Sequence, residues 1–199
     1  MINSYFIIFP ALHIELELGN LLGEGGFCSV HEIHQIKLLD GTAQQTISDE
    51  DEEEFGFTNG HVSQDRNFMA SRYRRGKDAR YAIKKIKREI YEDADHYVAG
   101  VIDLAIEAKF LAVVRHPNII KMRATATFSP YQAGYFVILD RLYDTLTVRI
   151  KSWKGKKKKI GGVSKIRDLS GSKKKDLWIT RLLVGYDISA ALRYLHDQR

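Results

Sequence analysis

The sequence predicts an α+β domain, and three observations carry that expectation. Five strand-like runs lie within residues 12–142, one long helical pattern interrupts them at residues 94–115, and residues 178–199 are helical again. The predicted order is a five-stranded antiparallel sheet with one large helix between its third and fourth strands, followed by helices.

Each element has its own signal. Residues 12–22 alternate Ile14, Leu16 and Leu18 against Glu15 and Glu17, a half-buried strand. A glycine-rich stretch, GEGGFCSV, leads into a second strand at residues 30–39. Residues 40–79 lose periodicity, with an acidic block from Asp49 to Glu54 and then the basic SRYRRGKD, and are expected to form a long exposed insertion. The third strand, RYAIKKIK, sets Tyr81, Ile83 and the Lys85 stem on one face and Ala82, Lys84 and Ile86 on the other. In residues 94–115, Val98, Val101, Ile102, Ala105, Ala108 and Leu111 recur at helical spacing. Asp93 or Asp95 can cap this helix, and His116-Pro117 stops it. NIIKMRATAT and GYFVILDRL read as the last two strands, joined through Ser129-Pro130. Asp144 can cap a short helix over residues 145–153, which the lysine-rich segment 151–175 interrupts. The final helix is apolar on nearly all sides, the pattern of a helix inside a core.

Composition narrows the function classes. With 44% hydrophobic and 28% charged residues, the 199-residue chain is globular in type, neither disordered nor collagen-like. Its single cysteine, Cys28, excludes an internal disulfide. No run approaches the ~20 apolar residues of a membrane span. The opening MINSYFIIFPAL is short, cut by Pro10, and lacks the basic start of a signal peptide. An intracellular protein, cytoplasmic or nuclear, is expected. Charge is uneven: residues 151–175 hold ten lysines and Arg167 against Asp168 alone, a net +10. That leaves −4 for the rest of a chain whose total is +6.

Two sets of residues suggest chemistry. Gly23 and Gly25 let a backbone approach a phosphate, and Phe27 can fold over as a lid; a plain hairpin turn is the other reading. A dinucleotide-binding fingerprint is set aside, because a strand rather than a helix follows and Cys28 stands where a third glycine is needed. Lys84 lies on the strand beyond the glycines, where it can reach phosphates beneath them. Glu107, in IEAKFL, can hold its ammonium in place, although each residue alone reads as an ordinary surface charge.

Taken together, the glycine hairpin, the AIK strand, the helix with Glu107, HPNII and YFVILDRL resemble, in order, the N-terminal lobe of a eukaryotic protein kinase. The resemblance covers residues 14–199 apart from the two insertions, and implies domains at 1–142 (N-lobe) and 143–199 (start of a helical C-lobe). It implies ATP as ligand, with Gly23 and Gly25 over the phosphates, and Lys84 on the α- and β-phosphates, paired with Glu107. Leu22, Val30 and Ala82 would roof the adenine pocket and Leu139 would guard its back. Asp140, Arg141 and Leu142 would form the hinge whose backbone meets adenine. Leu111 and Met122 would join the hydrophobic column between the lobes. The implied reaction is transfer of the γ-phosphoryl of Mg-ATP to a serine or threonine hydroxyl of a protein substrate.

The departures are specific. Cys28 and Ser29 replace the third glycine, and the chain ends at YLHDQR, where the family runs into its Arg-Asp catalytic loop. That loop and the Asp-Phe-Gly ligands of Mg2+ are expected within and beyond about ten residues after Arg199, and the 199 residues alone are expected to be inactive. Two other classes compete: a catalytically silent nucleotide-binding scaffold, and an adaptor whose segment 151–175 binds anionic polymer. For that segment the readings are a solvated insertion, a nuclear localisation signal, or a binder of nucleic acid or lipid headgroups. Only Trp153 accompanies the lysines, so the aromatic interleaving of a single-strand binder is missing. Six adjacent carboxylates without turn glycines do not form a calcium loop, and the histidines show no metal spacing with Cys28.

Overall fold

The computed structural model describes residues 9–11, 16–37, 68–126, 128–161 and 171–198. The chain divides into two compact units: one comprises the residues up to Arg115 with Ile120–Arg141, the other His116–Ile119 with Leu142–Arg199.

The first unit is α+β. Its strands are β1 (Phe9–Ala11), β2 (Leu16–Glu24), β3 (Cys28–Ile36), the short pair β4 (Arg74–Arg75) and β5 (Asp78–Ala79), β6 (Tyr81–Ile86), β7 (Met122–Ala126) and β8 (Phe136–Asp140). Five of them form an antiparallel series in the order β7-β8-β6-β3-β2, and β1 adds a parallel edge strand beside β7. The sheet is thus one strand wider than expected. Three residues are too few to show a period, and Pro10 is tolerated because β1 is an edge strand. Residues 12–15 lie outside the described residues, so the first predicted strand begins at Leu16 and runs on to Glu24.

Burial explains the sheet. Tyr81, Ile83, Phe136, Val137, Ile138 and Ile33 are all but inaccessible, so β6 and β8 are central strands with apolar contacts on both faces. Helix α1 (Ala94–Val113) buries Val101, Leu104 and Ala108 in the same core. A short 3-10 turn, Arg88–Glu92, precedes it. The Asp93 side chain accepts the His96 N–H and so caps its first turn. The helix ends at Val113, four residues short of Pro117, whose ring disfavours helical backbone before it.

Residues 68–79 correct the expectation of an exposed insertion. Residues 68–71 form a helical turn that sends Met69 and Ala70 into the core. Arg72 is only 5% exposed, its guanidinium 4.9 Å from the Phe68 ring centre. Gly76, at φ +62°, turns β4 into β5. The acidic block lies outside the described residues.

The second unit holds α2 (Leu146–Gly161) and α3 (Ser172–Asp197), which pack together. Asn118 Nδ2 donates to the Asp187 carbonyl at 3.1 Å and to its carboxylate at 3.2 Å. The lysine-rich segment does not interrupt α2, which runs through Lys159 to Gly161. The apolar α3 leaves Trp178, Leu182, Leu183, Tyr186 and Leu192 more than half exposed. Among the described residues no helix is long and apolar enough to cross a membrane.

The Asp93 cap makes a pH-dependent prediction. Hydrogen bonds from the His96 backbone and side chain hold the Asp93 carboxyl below its ordinary value. Its stabilising contribution is therefore complete above about pH 3.9 and fades as pH falls through the lower folded value. Asp93→Ala should lower the urea midpoint at neutral pH, and the gap from wild type should close in acid. A gap that is unchanged or widens on acidification would contradict the cap.

Candidate functional site

Register assembles one face of the sheet. Directly opposed residues in an antiparallel pair share a face. Val30 stands opposite both Gly23 and Lys84, and Lys84 opposite Val137. In the adjacent row Glu32 opposes Ala82, Ala82 opposes Leu139, and Leu139 opposes Met122. Two rows therefore carry Gly23, Val30, Lys84, Ala82 and Leu139 on a single face. Glu107 reaches that face from α1 and forms an ion pair with the Lys84 ammonium. The pair is partly screened from water, with side-chain exposures of 24% for Lys84 and 32% for Glu107.

The glycine hairpin closes tightly: the Gly25 N–H donates to the Cys28 carbonyl at 2.8 Å. A Cβ at Gly23 or Gly26 would meet nothing within 4 Å, and one at Gly25 only the Cys28 carbonyl at 3.8 Å. None of the three has positive φ. Neither packing nor backbone strain within the protein requires these glycines. Leu22 is 38% exposed on the same hairpin.

Phe27 differs from its expected role as a lid. It is half-buried and packs onto α1, where a Cβ on Gly100 would lie 2.9 Å from the Phe27 Cβ. Its ring centre is 6.1 Å from that of His96, and its carbonyl accepts the Lys87 N–H at 3.0 Å. The glycine at position 100 makes this close approach possible.

The hinge residues are also differently engaged. The Asp140 N–H donates to the Lys121 carbonyl at 3.0 Å and the Arg141 N–H to the Arg80 carbonyl at 2.9 Å, so both are committed within the sheet. Arg123 grips the Asp140 carboxylate with two bonds of 2.7 and 2.9 Å. Leu142 is 68% exposed. Leu111 and Met122 are partly buried against the core.

Sequence reasoning missed Glu32. Its carboxylate, 12% exposed, lies 2.9 Å from the Arg141 guanidinium. It also accepts from Asn20 Nδ2 at 2.8 Å and the Asn20 N–H at 3.1 Å. Gly19 makes room, since a Cβ there would lie 2.6 Å from Glu32. The one signal was a carboxylate facing the same way as Val30 on a strand whose neighbour, Ile33, is buried.

Cys28 lies between the hairpin and α1. Burial pushes its thiol above the ordinary value, the nearby Lys84 charge opposing and the carboxylates of Glu107 and Asp103 reinforcing the shift. Among the described residues no cluster of histidine, cysteine and carboxylates could hold a metal. A cleft of about 940 Å³ opens on the opposite face, lined by Leu21, Ser29, His31, Lys85, Arg88 and Phe128 among others. There, burial and the Arg88 charge pull the Lys85 ammonium below its ordinary value.

Two outcomes follow from this geometry. Glu32→Ala leaves Arg141 without its carboxylate and Asn20 without its acceptor, and should cost roughly 2 kcal/mol in chemical denaturation. A change within experimental error would mean the network contributes nothing. The Cys28 thiol should react slowly with an aromatic disulfide reagent in the native protein and at the ordinary rate in guanidinium chloride. Equal rates in the two states would contradict its burial.

A comparison with models of known protein families finds no match, and neither does a comparison with curated proteins. The kinase resemblance rests on the sequence motifs of this chain.

Proposed function

We propose that the first unit is the ATP-binding portion of a protein kinase of the serine/threonine type. The observation that carries this reading is the Lys84–Glu107 pair, set on the same face as a hairpin whose glycines open onto free space. A glycine without a packing or backbone reason is accounted for by something that must come close to the main chain. Polyphosphate meets that description: Glu107 holds the Lys84 ammonium in place, and the ammonium neutralises phosphate oxygens beneath the hairpin.

The rest of the face suits an adenine ring. Ala82 and Val30 are small enough to let a flat ring lie against the strands, and the buried Leu139 closes the back of the row. Bound ATP would bring the transferable γ-phosphoryl group. Groups that would activate a protein hydroxyl or ligate magnesium do not occur among these residues as the family's motifs. The proposal for this chain is therefore nucleotide binding without transfer, in a cytoplasmic or nuclear setting.

Titration with a fluorescent ATP analogue tests it. Mg-ATP and ADP should both displace the analogue, with weak affinity. Lys84→Met should weaken binding by about tenfold or more, the loss of a charge-assisted contact, and leave the urea midpoint nearly unchanged. Gly23→Ala and Gly25→Ala should likewise weaken binding more than folding. No displacement by ATP, or Lys84-independent binding, would defeat the reading. Lys84-dependent phosphoryl transfer by the purified 199 residues would defeat the claim of binding without transfer.

A further inference from the structure

We infer that the outer side of α2 binds the phosphodiester backbone of a nucleic-acid duplex by charge, without reading its sequence. The inference is independent of the nucleotide site and rests on how the helix distributes its residues.

At about 100° per residue, Leu146, Ile150, Trp153 and Ile160 fall on one side of α2. Lys151, Lys154, Lys158 and Lys159 fall on the other, around Gly155. Trp153 and Ile160 are half-buried, while every residue from Lys154 to Lys159 is exposed. α2 packs against α3, and the Arg181 guanidinium lies 5.8 Å from the Trp153 ring centre. α3 thus covers part of the apolar side, at Trp153 and Ile160, while Leu146 and Ile150 stay 45% and 38% exposed and the lysine side faces water.

That side carries two costs which nothing among the described residues repays. Residues 151–159 contain six lysines and no acid, and among the described residues none of the six has an ion-pair partner. Like charges three and four apart repel along a helix. Lys158 and Lys159 gain from the negative end of the helix dipole, but Lys151, Lys154 and Lys156 lie too far from it. Gly155 is the second cost. It weakens a helix at mid-length, and a Cβ there would meet nothing within 4 Å. A glycine at the centre of a lysine face admits a partner to the main chain itself. Both costs are relieved by a polyanion lying along that face.

The same observations select the polyanion. An amphipathic helix on a membrane sinks a large apolar side among the acyl chains, and here Trp153 and Ile160, the middle and end of that side, are half-buried against α3. Single strands are held by several stacked aromatic rings, and α2 has one, Trp153, which is half-buried beside the Arg181 guanidinium. A duplex needs neither. It presents about one charge per 1.7 Å of axis, against lysines spread over about 12 Å of helix from Lys151 to Lys159.

Fluorescence polarisation of a labelled DNA duplex of about two helical turns, with the whole 199-residue chain, tests the inference. Three to four phosphate contacts give a slope of log K against log salt near about −3, about a 60-fold loss between 50 and 200 mM salt. K151E/K154E/K158E should bind at least about tenfold more weakly and flatten that slope. Circular dichroism should show its helices retained. K77E/K109E/K121E changes the net charge equally at exposed positions of the first unit and should bind nearly as wild type. Equal loss in the two triple variants would overturn the assignment. So would the absence of binding at low salt, displacement of the duplex by polyglutamate as readily as by unlabelled duplex, or tighter binding to phosphatidylserine vesicles than to the duplex.

Discussion

The register of β6 is the constraint on which the first unit depends. Tyr81 and Ile83 are buried on one side of that strand, and Ala82 and Ile86 on the other. Between them the alternation of a strand sends Lys84 toward Glu107 and Lys85 to the opposite face. Slipping the strand by one residue would exchange the two lysines, and would also push Ile83 out of its place between Ile138 and His31. The apolar residues thus fix the position of the charge. The ion pair itself is too exposed to dominate folding; it is placed by the packing around it.

A second arrangement ties β3 to β2 and to the residue just past β8. Glu32 on β3 holds Arg141, just past the end of β8, and Asn20 on β2. Three strands therefore meet on one carboxylate, in the row that contains Ala82 and Leu139. The Arg123–Asp140 pair does the same between β7 and β8. Both lie at the end of the sheet away from the hairpin. That end is stiffened by charge-assisted bonds, while the hairpin end is held by one tight turn and by Phe27.

How much of this was legible in the sequence depends on the range of the interaction. Pattern alone places Lys84 on a strand and Glu107 on a helix, where each reads as an ordinary surface charge; it is the kinase resemblance that pairs them. The strand β1 could not be seen, since three residues including Pro10 show no alternation, and its pairing with Thr125 spans more than half the chain. Met69 and Ala70 lie in a stretch where charges outnumber apolar residues, so their burial is a tertiary effect. The engagement of the Asp140 and Arg141 N–H groups depends on which carbonyls come alongside. In α2 the seam of Leu146, Ile150, Trp153 and Ile160 is present in the sequence, but lysines between its members mask it, and Gly155 argues locally against a helix.

The contact of Phe27 with Gly100 has a mechanical consequence. The hairpin tip touches α1 at Gly100, beside Val101 and one helical turn before Leu104, and its backbone is tied to the end of β6 through the Lys87 N–H. Any displacement of α1 that parts Glu107 from Lys84 must either carry Phe27 along or open a gap beside Gly100. Hairpin and helix are in this sense one lever with two arms. A push on the hairpin is thereby passed toward the ion pair, and a rotation of the helix toward the glycines, so the two would move jointly and not separately.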